Sequence, residues 1–273
     1  MSAAITEGTV AEMRELAARY PHPRSALLPM LHLLQSVEGF VTAEGIETCA
    51  AVLSLTAAEV SAVATFYTMY KRRPVGTYHV GVCTNTLCAV MGGDVIFDRL
   101  KSHLGVGNDE TTGDGAITLE HVECNAACDY APVVMVNWEF FDNQTPESAV
   151  NLVDELRAGR TVQATRGARV CTWREAERVL AGFPDDRADE GPTGGPATLA
   201  GLKLARARGW QAPSPDAGRT TSNGAADSKV GAAEGADTSR AESETKVEHS
   251  DADIVGGKTD SPQDVDKHSG KGS

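Results

Sequence analysis

The chain has 273 residues, 41% of them hydrophobic and 23% charged, with a formal net charge of −13. That length and apolar content suit one or two domains with an ordinary core. The acidic balance argues against nucleic acid as a partner, because phosphate backbones call for basic surfaces. No apolar run reaches the roughly eighteen residues of a membrane span. Residues 1–20 carry Glu7, Glu12 and Glu15 with no long apolar stretch. Neither a transmembrane helix nor a signal peptide is therefore predicted, and the expected location is cytoplasmic.

Residues 9–70 read as helical. Val10, Met13, Leu16 and Ala17 keep the three-four spacing of an amphipathic helix, which Tyr20-Pro21-His22-Pro23 ends. A second apolar stripe runs through Leu27, Leu31 and Leu34, with Gly39 near its end, and a third helix is expected over 43–54. A fourth opens on Thr56 with Glu59 three residues on, a capping-box pattern. It is read as continuing through Val60, Val63, Ala64, Tyr67 and Tyr70, with Phe66 and Tyr67 as packing residues.

From Pro74 the texture changes. Thr77 to Cys83 and Ile117 to Cys124 read as strands, and residues 93–104 between them as a helix. Pro132 to Asn137 is a continuous apolar strand suited to burial on both faces. Asn143-Gln144 is the expected turn toward a fourth strand, and residues 146–158 form a closing helix with Gly159 as its stop. Alternating strands and helices predict an α/β layer. A short helix over 173–181 is capped by Thr172 with Glu175. Leu199, Leu202, Leu204 and Trp210 stand beside Lys203, Arg206 and Arg208 as a candidate contact surface. Residues 214–273 hold no aromatic residue and are expected to be disordered.

The chemistry lies in the cysteines. Six are present. In a reducing compartment clustered thiols point to metal or redox sites rather than structural disulfides. Cys83 and Cys88 form a C-x4-C pair, and Cys124 and Cys128 a C-x3-C pair. Each pair follows a predicted strand, so parallel neighbouring strands would bring four thiols to one sheet edge. A [2Fe–2S] cluster takes four soft thiolates, here Cys83 and Cys88 on one iron and Cys124 and Cys128 on the other. Structural zinc on the same four residues fits the spacing equally well. A thioredoxin-type C-x-x-C is absent. Cys49 and Cys171 read as ordinary buried or half-buried thiols. Gly92-Gly93 is no dinucleotide fingerprint, and no P-loop is present.

Several stretches carry a resemblance. They include Ser25-Ala26-Leu27-Leu28-Pro29-Met30-Leu31, Val63-Ala64-Thr65-Phe66-Tyr67-Thr68-Met69-Tyr70, and Val82-Cys83-Thr84-Asn85 with Cys88. Glu110-Thr111-Thr112, Asp114-Gly115, Glu123-Cys124 and Ala131-Pro132-Val133-Val134 continue it. On these residues, 20–160 resemble the NuoE family, the small [2Fe–2S] subunit of the NADH dehydrogenase module of bacterial complex I. Ala126 and Asp129 stand where that family often has glycine, and nothing of the family is carried over beyond about residue 165. The resemblance implies an α+β or α/β chain with an N-terminal helical bundle (1–73) and a thioredoxin-like [2Fe–2S] domain (74–165), to which composition adds a partly ordered extension (166–213) and a disordered tail (214–273). It also implies one [2Fe–2S] cluster on Cys83, Cys88, Cys124 and Cys128, exchanging single electrons with FMN on a partner flavoprotein subunit that oxidises NADH. The other peripheral-arm subunits are further expected partners, on the cytoplasmic side of the inner membrane and without membrane insertion. The chain would be an electron-transfer subunit of NADH-quinone oxidoreductase, not catalytic alone. The same module in an NAD-linked hydrogenase or formate dehydrogenase, or a zinc-stabilised assembly module, are the alternatives.

Overall fold

A computed structural model describes residues 5–187, 190–191 and 194–212. The tail expected over 214–273 lies outside them. The first four helices, α1 (Glu7–Ala18), α2 (Leu27–Glu38), α3 (Ala43–Leu53) and α4 (Ala57–Phe66), are cut to length by local chemistry. Thr6, Thr42 and Thr56 each accept a backbone N–H in the first turn, and Glu59 returns the bond to Thr56. Gly39, at φ 89°, ends α2 in the left-handed conformation that a side chain would resist. The apolar faces meet in a core of Met13, Leu16, Met30, Leu31, Leu34 and Val60, all essentially inaccessible to solvent.

The second half is a five-stranded mixed sheet in the order β2 (Glu110–Thr111), β3 (Ile117–Val122), β1 (Tyr78–Cys83), β4 (Val134–Val136), β5 (Glu139–Phe141). The central pair, β1 and β3, is parallel, with Cys83 opposite Val122. The other pairings are antiparallel. Strand alternation sorts the side chains. Val80, Val82, Ile117, Leu119, Val134 and Val136 point into one core with α6 (Gly93–Leu104) and α7 (Pro146–Arg157). His79, Thr118, Glu120 and Met135 belong to the opposite face. There the His79 ring lies tilted against Trp173, at 5.4 Å between ring centroids.

Trp173 opens α8 (Trp173–Leu180), whose Thr172–Glu175 capping box forms as the sequence predicts. This helix packs on α2. The Trp173 indole donates to the Gly39 carbonyl at 2.9 Å. Glu177, fully buried, accepts from His32 Nδ1 and Gln35 Nε2, both at 2.6 Å, and from Trp138 Nε1 at 3.0 Å. Ala181 and Phe183 complete the helical core. No single helix among the described residues is long and apolar enough to cross a membrane.

Two expectations fail. The fourth helix stops at Phe66 because Tyr67 turns extended (φ −97°, ψ 124°), so helical spacing no longer directs the aromatics inward. Phe66 is 78% exposed and Tyr67 is also exposed, whereas Tyr70 is buried and donates its hydroxyl to the Leu28 carbonyl. The hairpin into β5 turns at Asn137-Trp138, both at positive φ, and not at Asn143-Gln144. A two-residue loop with both residues left-handed matches strand twist, and the indole bond to Glu177 holds Trp138 in it.

Lys71 and His79 both donate to Glu120 Oε2, at 2.5 and 2.6 Å. Burial pushes this carboxyl up, but His79 and Lys71 outweigh it and hold the group at about 2. A depressed carboxyl contributes stability that is fully present above its ordinary value, 4.5, and is lost as the pH falls through the folded value. The contribution near neutrality is ~2 kcal/mol once partial solvation is allowed for. Glu120→Gln should therefore lower the melting temperature at pH 7. It should also flatten the decline in stability between about pH 4.5 and pH 2. Circular-dichroism melts across that range measure both, and an unchanged acid slope would remove Glu120 as its source.

Candidate metal centre

The parallel pairing of β1 and β3 delivers both cysteine pairs to the same end of the sheet. Cys83 is the last residue of β1, and its N–H donates to the Val133 carbonyl at 3.1 Å. The chain then enters α5 (Thr86–Val90), which carries Cys88. Cys124 follows β3 by two residues, and Cys128 begins a 3-10 turn, Cys128–Tyr130. Gly93, the first residue of α6, presses on this loop: a Cβ there would collide with the carbonyl oxygens of Cys83 and Cys88, the latter at 2.9 Å. The Gly92-Gly93 step thus serves close approach of a helix to the cysteine loop.

The four thiols are neighbours. Burial pushes the Cys88 thiol up to about 11, and Cys83 and Cys128 beside it add to the shift. The Cys128 thiol is raised by desolvation, then by Cys124 and Cys83. A thiol raised in this way ionises when positive charge is close by, which metal ions supply. Among the described residues no group of three or more His, Cys, Asp or Glu is arranged to hold a single ion. Cys88 has Cys83 and Cys128 as thiol neighbours, and Cys128 has Cys124 and Cys83, so the two pairs meet. Four thiolates are the donor set that a [2Fe–2S] cluster takes.

The pairs differ in environment. Cys83 and Cys88 are buried; Cys124 and Cys128 are exposed. The Ala126 N–H donates to Cys124 Sγ at 3.3 Å, and Ala126 does so at φ 52°, in the left-handed region. Asp129 is bound by Arg166, at 3.1 Å, and by the Thr198 hydroxyl. The remaining cysteines stand apart: Cys49 lies in the helical core, where burial pushes its thiol up to about 12, and Cys171 is half-buried, also raised by desolvation. Arg166 and Gly93 escaped the sequence reading. Arg166 lies in no recognisable motif and far along the chain from Cys128.

Residues 13–157 match the family described as thioredoxin-like [2Fe-2S] ferredoxin. The E-type NADH-quinone oxidoreductase polypeptide of Mycobacterium tuberculosis is 66% identical over 203 residues, covering 74% of this chain and 81% of the relative. That span is longer than the segment ending at residue 165, so the likeness continues into the extension, beyond the stretch that carries the resemblance. A second E-type NADH-quinone oxidoreductase polypeptide, from Rhizobium meliloti, is 35% identical over 157 residues, covering 58% of this chain and 94% of the relative. Among solved structures, an NAD+-reducing [NiFe]-hydrogenase aligns at TM-score 0.44 and 20% identity, covering 48% of this chain and 22% of that one. A thioredoxin-like [2Fe-2S] ferredoxin from Aquifex aeolicus aligns at TM-score 0.27 and 21% identity, covering 32% of this chain and 87% of that one.

The Ala126 conformation makes a direct prediction. A left-handed L-residue costs about 1–2 kcal/mol, part of which glycine would give back as unfolded-state entropy. Ala126→Gly should stabilise the chain by about 0.5–1 kcal/mol without loss of bound iron. Urea unfolding with iron assay checks this, and a destabilised variant would mean that the Ala126 methyl makes contacts worth more than the strain.

Proposed function

This chain belongs to the thioredoxin-like [2Fe-2S] ferredoxin family, and on that premise we propose that it carries one [2Fe–2S] cluster on Cys83, Cys88, Cys124 and Cys128 as the electron-transfer subunit of an NADH-quinone oxidoreductase. The observation that carries the reading is the convergence of two cysteine pairs at the ends of adjacent parallel strands. When bound there, the cluster supplies a centre that takes up and returns one electron at a time. The protein's own residues divide the labour. Cys83 and Cys88 are held by the sheet and by α6, away from water. Cys124 and Cys128 lie at the surface, where a partner's redox group can approach. The Ala126 N–H turned toward Cys124 favours negative charge on sulfur.

The partner fitting this arrangement is the NADH-oxidising FMN flavoprotein subunit of the same complex, with this chain on the cytoplasmic side of the membrane. Exposed apolar side chains beside the cysteine loops support docking there: Leu87, Val90, Met91 and Val95, with Val90 at 81% exposure. A second surface is α9 (Ala200–Ala207), which has no buried residue. Leu199, Leu202 and Trp210 are exposed there among Lys203, Arg206 and Arg208. Exposed apolar groups with one sign of charge suit an acidic, partly apolar partner surface.

Replacing any of Cys83, Cys88, Cys124 or Cys128 by serine exchanges a soft thiolate for a hard hydroxyl and should reduce bound iron and sulfide by at least about half. Cys49→Ser and Cys171→Ser should retain both. Iron and acid-labile sulfide assays on the six variants decide, and full cluster content in any of the first four strikes that residue from the ligand set. For the partner, a chain ending at Thr198 should recover roughly tenfold less flavoprotein subunit on co-purification than one ending at Ala212. Equal recovery would end the docking role of residues 199–212.

A further inference from the structure

Arg166 lies outside the residues that hold the cluster, yet it grips both flanks of Cys128. Its guanidinium donates to the Ala127 carbonyl at 3.3 Å, on one side of the cysteine. On the other side it donates to both Asp129 oxygens, at 3.1 and 3.2 Å. It holds Asp142 in a fork, Nη2 to Oδ1 at 2.6 Å and Nε to Oδ2 at 3.0 Å. The guanidinium also lies over the rings of Tyr130 and Phe140, 5.4 and 5.7 Å from their centroids. Only 11% of the side chain is exposed, and Asp142 is equally enclosed at 10%. The extension adds two more ties: Thr198 donates its hydroxyl to Asp129, and the Ala197 N–H donates to the Tyr130 hydroxyl at 3.2 Å.

We propose that Arg166 is a positioning residue for the exposed side of the cluster, and that the Asp129–Arg166–Asp142 charge arrangement tunes the cluster's reduction potential. The proposal rests on the assignment of Cys83, Cys88, Cys124 and Cys128 as ligands. An ordinary surface ion pair is worth little, because water screens both partners. This arrangement differs in three respects. The guanidinium is largely desolvated. It is shared by two carboxylates, and fixed geometry of this kind is what arginine's planar fork provides. Its hydrogen bonds end on the two residues that flank a ligand, so loop position and local field are set by the same group.

The sign of the effect follows. Reduction adds negative charge to the cluster. Two carboxylates and one guanidinium beside it leave a net charge of one negative. Removing the guanidinium exposes the cluster to two uncompensated carboxylates, which resist the incoming electron and lower the potential. Neutralising Asp129 does the reverse. Asp129 sets a negative charge next to Cys128, and Arg166 covers it.

The test is equilibrium redox titration of the full-length, cluster-loaded protein, followed by electron paramagnetic resonance of the reduced state, with iron and sulfide assayed on each sample. Arg166→Gln should shift the midpoint potential down and Asp129→Asn should shift it up. The double variant should fall between the two. Arg166→Lys keeps the charge but loses the fork. Its potential should lie closer to wild type than that of Arg166→Gln, while its spectrum broadens as the loop loosens. Opposite shifts in the two single variants support the proposal. Equal potentials, or shifts of the same sign with the cluster intact, overturn it. Should Arg166→Gln fail to retain a cluster, Asp129→Asn carries the test: an upward shift with the cluster intact supports the proposal, and an unchanged or lowered potential overturns it. A wild-type protein that takes up no [2Fe–2S] cluster overturns the ligand assignment, and the proposal with it.

Discussion

A carboxylate with no contact with water joins the two halves of this protein. Glu177 belongs to α8, in the extension, and it accepts hydrogen bonds from His32 and Gln35 of α2 and from the indole of Trp138 at the β4–β5 turn. Burying a carboxyl group is expensive unless its hydrogen-bonding oxygens find partners. Each of the three donors is therefore required where it is, and helix, turn and extension are fixed by one group. The same polar thread continues. Gln35 Oε1 accepts the Lys71 backbone N–H at 2.6 Å, Lys71 reaches Glu120, and Glu120 holds His79 of β1. Strand β1 ends at Cys83. A contact made by the extension is thus connected, through satisfied polar groups, to the strand that presents the first cysteine.

Much of this is legible in the sequence where a local rule decides. Thr56 with Glu59 and Thr172 with Glu175 predict helix starts because a capping box is satisfied within one turn. The cysteine pairs are legible because each follows an apolar strand run, and parallel neighbours must then carry both to one edge. Illegible features depend on distant partners. Phe66 and Tyr67 keep helical spacing, yet the helix ends beneath them and they face outward. Trp138 is a poor turn residue by propensity, and only its bond to Glu177, far along the chain, makes the turn intelligible. Arg166 is surrounded by no motif. Its importance arises from what the fold sets beside it.

Gly93 illustrates a different limit. Adjacent glycines invite a search for a nucleotide-binding loop, and none is there. The physical need is steric: the start of α6 lies against the carbonyls of Cys83 and Cys88, so closely that any side chain at 93 would displace the loop. Glycine in a sequence announces either unusual backbone angles or close approach, and it does not say to what.

The two cysteine pairs therefore answer to different parts of the chain. Cys83 and Cys88 are set by strand β1, by the Val133 carbonyl and by the first turn of α6, all parts of the packed sheet. Cys124 and Cys128 lie on a loop in which Ala126 takes a conformation that disfavours it, and whose far end is tied down by Arg166 and Thr198 from the extension. A surface loop with left-handed alanine gains little from local propensity, so tertiary ties must hold it. The exposed side of the site is thereby the side whose geometry depends on the extension. This gives the extension a physical role at the cysteine loops that the four-cysteine pattern does not reveal.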